Sequence, residues 1–307
     1  MGDSPDFVVL GCPKCGTTSL YHYLAACEDV HLSPKENHFF LRHDPLFPNI
    51  AVQSTQEYSA FWSTAGAGVK GDVAVRYLYS EHAREEILGS LPDAKFILMV
   101  RNPIDRAVSH YLMRFRTGGY RSTKGGLPTE AETREFFRDL ESDVVQFGRY
   151  GHYMSQWIAH SSPSRFLVVS LEELSKNPLS AMDRICSFVG IERSEEIDFN
   201  VRYNVNTIDQ FASWRTAIRR NKLARRVRRS ITLRKAVSAV VPRRVLDSLQ
   251  WRKANAAEHT SRSFALPFPI YEKLRSFYQG DIEQLTSLVG YDFTPLLEAG
   301  DYSCGQL

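Results

Sequence analysis

Three short apolar runs constrain this 307-residue chain more than any other feature: FVVL at 7–10, KFILMV at 95–100 and RFLVVS at 165–170. A strand with one face in water alternates apolar and polar residues, whereas a strand covered on both faces has no such need. Each run leads into a segment of helical period. TTSLYHYLAAC places Leu20, Leu24 and Cys27 on one stripe, and RNPIDRAVSHYLMRF carries Pro103 in its first turn, where proline is tolerated. After RFLVVS comes LEELSKNP, then AMDRICSFVGI with Met182, Ile185 and Val189 on one face. GDVAV at 71–75 reads as a weaker fourth strand. Strands alternating with helices predict a three-layer α/β fold, a central parallel sheet flanked by helices. We read 1–307 as a single domain.

The first strand stops at Gly11, and the loop GCPKCGTTSL opens the next helix. Such a junction suits an anion, because the first helical N–H groups lack partners and the helix dipole is positive there. Gly11 and Gly16 let the backbone turn, Thr17 and Thr18 add hydroxyl donors, and Lys14 brings a cation into the loop. The spacing from Gly11 to Gly16 fits the phosphate-loop pattern G-x-x-x-x-G-K-[ST], but Thr17 stands where that pattern has lysine. A P-loop kinase or nucleotide hydrolase with a shifted lysine is therefore one alternative. A second uses Cys12-x-x-Cys15 as a redox pair or half of a zinc site. No second CxxC or CxxH cluster accompanies it, and Gly-Thr-Thr after Cys15 has no purpose in a redox motif. The two cysteines then serve as small residues that fit a tight loop.

Five scattered cysteines make no disulfide framework, and the acidic N-terminus has no signal-peptide character. No stretch reaches the roughly 20 apolar residues of a membrane span. The expectation is a soluble, cytoplasmic protein. The net charge of +3 fits anionic ligands. Much of it comes from residues 215–244, which hold twelve Arg and Lys residues and no acid. With Ile218, Leu223, Val227 and Ile231 on a buried side, this segment reads as a solvated helical face. Otherwise it is a grip on an anionic acceptor or an acidic membrane surface, within a basic helical insert or lid at 215–260. No nucleic-acid-binding motif accompanies the charge. The helix from IYEKLRSFYQGDIEQLTSLVG at 270–290 is explained by packing of Leu274, Phe277, Tyr278, Ile282, Leu285 and Leu288.

The run P-K-x-G-T-T-S-L at 13–20 resembles the 5′-phosphosulfate loop of sulfotransferases that use 3′-phosphoadenosine 5′-phosphosulfate (PAPS). Their second signature is an Arg after a later strand with a Ser eight residues on, and Arg101 and Ser109 match it. SPKENHFFL at 33–41 is similar to the K-E-x-H-F-F segment of the carbohydrate branch, which includes the heparan sulfate enzymes. The resemblance implies a P-loop-like fold and transfer of a sulfuryl group to a hydroxyl or amine of a glycan, glycolipid or small metabolite. The acceptor would carry anionic groups if the basic segment grips it. Donor-binding residues would be Pro13, Lys14, Cys15, Gly16, Thr17, Thr18, Ser19, Arg101 and Ser109. Lys14 would stabilise the leaving phosphate, Glu36 or His38 would act as base, and Asp72 would orient base or acceptor. The co-product would be 3′,5′-adenosine bisphosphate, with no metal required. Arg106 reads as a salt-bridging helix residue. The glycan enzymes often carry a Glu-Lys pair on the next strand, where this chain has Gly71-Asp72-Val73, and a late lysine-glycine loop with no clear copy here. Arg202 or part of the basic segment would substitute for that loop. The Golgi-type anchor of the animal enzymes has no counterpart, and the expectation is a bacterial-style soluble member.

Overall fold

A computed structural model describes residues 4–48, 50, 52–116, 127–200 and 264–298. Phe7–Gly11 (β1) is buried at every position, as its uninterrupted apolar sequence requires of a strand with neighbours on both edges. It pairs in parallel with Val69–Val73 (β3) on one side and Lys95–Val100 (β4) on the other. Val30–Leu32 (β2) adds to β3 and Phe166–Ser170 (β5) adds to β4, so the five-stranded sheet has the order β2-β3-β1-β4-β5 and is parallel throughout.

Among the described residues the helices are Thr17–Leu24 (α1), Thr55–Thr64 (α2), Glu81–Ser90 (α3), Pro103–Arg116 (α4), Glu130–Phe136 (α5), Asp143–Gln146 (α6), Tyr150–Ile158 (α7), Leu171–Lys176 (α8), Pro178–Val189 (α9) and Phe268–Val289 (α10). The expected α/β architecture is the observed one. Two strands depart from the sequence reading. β3 begins at Val69 rather than Gly71, because the peptide of Lys70 pairs with Asp6: Asp6 N–H donates to Lys70 O and Lys70 N–H to Asp6 Oδ2, both at 2.8 Å. A lysine inside a strand masked that start. β2 spans three residues around a histidine, too short for a periodic signal.

β1 sits where the strand order turns back, and open α/β sheets bind ligands at the C-terminal ends of strands at such a point. Beyond β1, Cys12 N–H still bonds Met99 O at 2.9 Å. The loops after β1 and β4 therefore leave the same sheet edge side by side.

By compactness the chain divides into two units: 1–110, 130–199 and 265–307; and 111–129 with 200–264. The described part of the second holds the last turns of α4 and the ring pair Tyr111–Phe264, centroids 6.4 Å apart. The basic segment 215–244, the insert at 215–260 and Arg202 lie outside the described residues.

In the first unit α7 and α10 pack closely. The buried Asp281 carboxylate on α10 accepts the N–H groups of Gly151 and His152, both at 2.9 Å, and so caps the first turn of α7. Burial pushes the Asp281 carboxyl up; the two amides and nearby Arg149 act against that. The close approach depends on Gly151, where a Cβ would meet Asp281 O at 2.2 Å and Leu285 N at 2.9 Å, both backbone atoms. Gly151→Ala should lower stability by about 1–3 kcal/mol, read as a lower urea midpoint with an unchanged slope. An unaltered midpoint would contradict this packing.

Candidate active site

The loop after β1 is held from below. Cys12 and Cys15 are fully buried, and Cys15 N–H bonds Cys12 O at 3.3 Å. Gly16 begins α1 at φ 80°, a left-handed conformation, and a Cβ there would meet Leu171 Cδ1 at 2.6 Å. Lys14 also has positive φ, at 73°. Thr17 is buried, while Thr18 and Ser19 are half-buried in the first turn of α1. The sequence-predicted donor residues Pro13 to Ser19 thus form one tight arc at a helix N-terminus.

Arg101 follows β4 at the same edge, with Asn102 as the cap of α4. Asn102 Oδ1 accepts the N–H groups of Ile104 (2.9 Å) and Asp105 (3.2 Å), and Asn102 N–H donates to Glu172 Oε1 at 2.9 Å. An Asn directly before a Pro that opens a helix is the sequence signal for this cap. The Arg101 guanidinium lies 3.6 Å from Asp105 Oδ2, and its side chain is 11% exposed. Ser109 is buried two turns further along α4. Burial pushes the Glu172 carboxyl up, opposed by the Asn102 amide and the charge of Arg101.

The third element is the turn Lys35–Glu36–Asn37–His38, between β2 and a short 3-10 turn at Phe39–Leu41. Glu36 has φ 61° and His38 φ 53°. Among the described residues the non-glycine positive φ values fall on Lys14, Glu36, His38 and His43. Three of these four are residues the sequence reading singled out. Left-handed backbone at a non-glycine residue persists where the surroundings enforce it, and it clusters at functional sites.

Buried Asp72 on β3 does the enforcing. Its Oδ1 accepts Ser33 Oγ–H at 2.8 Å and Asn37 Nδ2–H at 2.5 Å; its Oδ2 accepts the hydroxyls of Tyr58 (3.0 Å) and Tyr77 (3.3 Å). Asn37 Oδ1 in turn accepts Phe39 N–H at 2.7 Å and the Tyr77 hydroxyl at 3.1 Å. Burial pushes the Asp72 carboxyl up, and its four hydrogen-bond donors oppose that. With its acceptor sites occupied from inside the protein, Asp72 fixes the turn that carries Glu36 and His38. Ser33, Asn37 and Tyr58 escaped the sequence reading because their common partner lies 14 to 39 positions away, and Tyr77, five positions from Asp72, belongs to no periodic pattern.

Glu36 faces outward, its side chain 33% exposed. Lys35 Nζ lies 2.8 Å from Oε1 and His38 Nε2 3.0 Å from Oε2, while His38 Nδ1 bonds Glu36 O at 2.6 Å. Burial raises its pKa, but the contacts with His38 and Lys35 outweigh burial and lower it to about 2. Glu36 is ionised at neutral pH.

Beneath the first loop the structure corrects the reading of Arg106. No carboxylate pairs with it among the described residues. Its guanidinium is fully buried, bonds Val144 O and lies 3.5 Å from His110 Nδ1. Burial works to lower its pKa, yet Tyr278, Tyr150, Tyr79 and Cys15 hold it above the ordinary value. Burial pushes the Cys12 thiol up. Burial also opposes ionisation of Cys15, but its hydrogen bonds with Cys12 and Tyr150 and the charges of Arg106 and Arg101 lower its pKa. Among the described residues no three His, Cys, Asp or Glu side chains stand together as a metal-ligand set, and no helix is long and apolar enough to cross a membrane.

Residues 4–207 match the family described as "Sulfotransferase domain". The chain is 27% identical over 206 residues to mouse heparan sulfate glucosamine 3-O-sulfotransferase 6, a match covering 62% of this chain and 53% of that one. It is 25% identical over 201 residues to mouse bifunctional heparan sulfate N-deacetylase/N-sulfotransferase 4, covering 61% and 22%. The chain thus spans about half the length of the first of these relatives, and less of the second. The crystal structure of a sulfotransferase from Alicyclobacillus acidocaldarius superposes with a TM-score of 0.63 at 20% identity, over 95% of this chain and 98% of that one, and shows the same fold.

Replacing Asp72 with alanine would remove the acceptor shared by four donors; Asn37 would keep Ser33 Oγ and Tyr77 would keep Asn37 Oδ1, but the Ser33 and Tyr58 hydroxyls would lose theirs. Asp72→Ala should lower stability by about 3 kcal/mol or more, measured by urea denaturation. Little change would show that water takes over the network.

Proposed function

The chain belongs to the sulfotransferase domain family, and from that premise we propose that it moves a sulfuryl group from PAPS to a hydroxyl or amine of a glycan. The observation that carries this reading is the left-handed backbone shared by Lys14, Glu36 and His38, in a fold that places the Lys14 loop beside Arg101. The family relatives named for glucosamine 3-O- and N-sulfation support an oxygen or nitrogen acceptor on a sugar.

The residues present fit an anionic nucleotide donor. A left-handed Gly16 cradle, a helix N-terminus, the hydroxyls of Thr17, Thr18 and Ser19, and Lys14 suit the 5′ end, and Arg101 with Ser109 suits the 3′-phosphate. Bound there, PAPS supplies the sulfuryl group, and 3′,5′-adenosine bisphosphate is left behind. Lys14 and the first amides of α1 offset the negative charge that gathers on the departing phosphate oxygen. As the acceptor oxygen or nitrogen bonds to sulfur it gains positive character and its proton becomes acidic, so a weak base suffices. Glu36, ionised and partly open, takes that proton. His38 and Lys35 hold its carboxylate in place, and Asp72 holds the turn. The transferred group carries a single negative charge, and Lys14 and Arg101 supply the cations, so this chemistry calls for no metal ion. The basic segment 215–244, by its charge alone, would suit an anionic acceptor or an acidic membrane surface, and we place the protein in the cytoplasm.

Calorimetry should show tight binding of 3′,5′-adenosine bisphosphate with or without Mg²⁺, and much weaker binding of ADP. Lys14→Ala and Arg101→Ala should each abolish transfer from labelled PAPS. Equal affinity for ADP, or dependence on Mg²⁺, would favour the kinase alternative. With Glu36 as base, its carboxyl at about 2 leaves kcat/KM without an acid limb between about pH 5 and about pH 8. An acid limb inside that range would count against Glu36 as the base.

A further inference from the structure

Tyr150 lies between the two halves of the site, against Cys15 of the donor loop, and the donor-binding reading gives it no task. The Tyr150 side chain rises from the first residue of α7 and is fully buried. Its hydroxyl donates to the main-chain carbonyl of Arg101 at 3.0 Å. That bond uses its only proton, so toward the Cys15 thiol, 3.6 Å away, its oxygen stands as the acceptor; the S–H also has Pro13 O within reach at 3.9 Å. The result is a relay from Cys15 through the Tyr150 hydroxyl to Arg101 C=O. One end is the loop that carries Lys14, and the other is the residue assigned to the 3′-phosphate. Cys15 and Arg101 lie 86 positions apart, and the fully buried Cys15 and Tyr150 bridge them.

The foundation of the relay is rigid. Tyr150 sits one residue before the two amides that Asp281 caps, and the buried Arg106 and Tyr79 lie close to it. Tyr79 bonds Phe147 O at 2.9 Å and Tyr278 bonds Val145 O at 2.7 Å. Polar groups satisfied in this way in a low-dielectric interior hold one arrangement and resist others. We infer that Tyr150, through Cys15 on one side and the Arg101 carbonyl on the other, is a positioning residue that sets the spacing between the two halves of the donor site. This gives the CxxC motif a use that is neither redox nor metal chemistry: Cys15 is the loop's hydrogen-bond donor to the relay. Both thiols are buried, which suits a structural donor better than a reactive one.

The inference rests on the donor-binding reading, and the test separates the two. Binding of 3′,5′-adenosine bisphosphate is measured by calorimetry for the whole chain and for Tyr150→Phe, Cys15→Ala, Cys15→Ser and the Tyr150→Phe/Cys15→Ala double variant. Each is also measured for thermal midpoint without ligand. Tyr150→Phe and Cys15→Ala should each weaken binding roughly five- to tenfold, the loss of about one buried hydrogen bond. The double variant should be no weaker than about the worse single one, because both break the same relay. Cys15→Ser keeps an O–H donor and should recover most of the affinity that Cys15→Ala loses. With labelled PAPS, the loss in Tyr150→Phe should fall on the donor KM while kcat changes little. If the folded variants bind as tightly as the unaltered chain and only their thermal midpoints fall, Tyr150 is structural and the inference is overturned. Fully additive losses in the double variant would overturn it too. If Tyr150→Phe does not fold, Cys15→Ala against Cys15→Ser decides, since only a positioning role separates those two in affinity. If the unaltered chain fails to bind the bisphosphate at all, the donor-binding reading falls and takes this inference with it.

Discussion

Neighbouring parallel strands release their loops at the same edge of the sheet. In this chain β1 and β4 do so: the register shifts between Val9 and Gly11, Gly11 lies opposite Leu98, and Cys12 extends the ladder one residue beyond β1 to Met99. Without that pairing the Lys14 loop and Arg101 would be unrelated pieces of sequence. With it, a helix N-terminus, a lysine and an arginine stand at the same edge of the sheet. β3 pairs with β1 from the other side and carries Asp72, which holds the turn of Glu36. The sheet order thus brings the Lys14 loop, Arg101 and the Glu36 turn around a single central strand.

Asp72 and Glu36 illustrate how environment divides two carboxylates between different tasks. Asp72 has no exposed surface, and internal donors occupy its acceptor sites. It has no capacity left for a substrate, but it holds the turn in a conformation that L-residues avoid. Glu36 pairs with a lysine and a histidine at the surface of the same turn and keeps its charge down to about pH 2. The strain at Glu36 and His38 is offset by the bonds of Asn37 to Asp72 and of the Phe39 amide to Asn37, so one buried network underwrites the exposed group.

Arg106 shows the limit of reading a helix by its own neighbours. Along α4 it looks like a partner for a surface acid. In the fold it is buried among the hydroxyls of Tyr79, Tyr150 and Tyr278 and the thiol of Cys15, beneath the Lys14 loop. A charged guanidinium without a carboxylate partner is tolerated there because Val144 O and the surrounding hydroxyl and ring dipoles solvate it. It adds positive potential under a loop that is read as an anion site.

The local code was enough to determine three of the five strands and the helices that follow them. These depend on runs, caps and spacings within about 20 residues, where periodicity and helix-end chemistry act directly. β2 and the start of β3 were hidden because three residues around a histidine, or a strand interrupted by Lys70, carry no period to detect. Only the tertiary structure decided that Asp72 supports the Glu36 turn from within, that Arg106 is buried without an acid, and that Tyr150 reaches Cys15 and Arg101 at once. Each of those facts joins residues 35 to 135 positions apart through side chains in the interior. A buried polar atom takes whatever donor the packing brings to it, and packing is settled by the whole sheet and its helices rather than by any one segment.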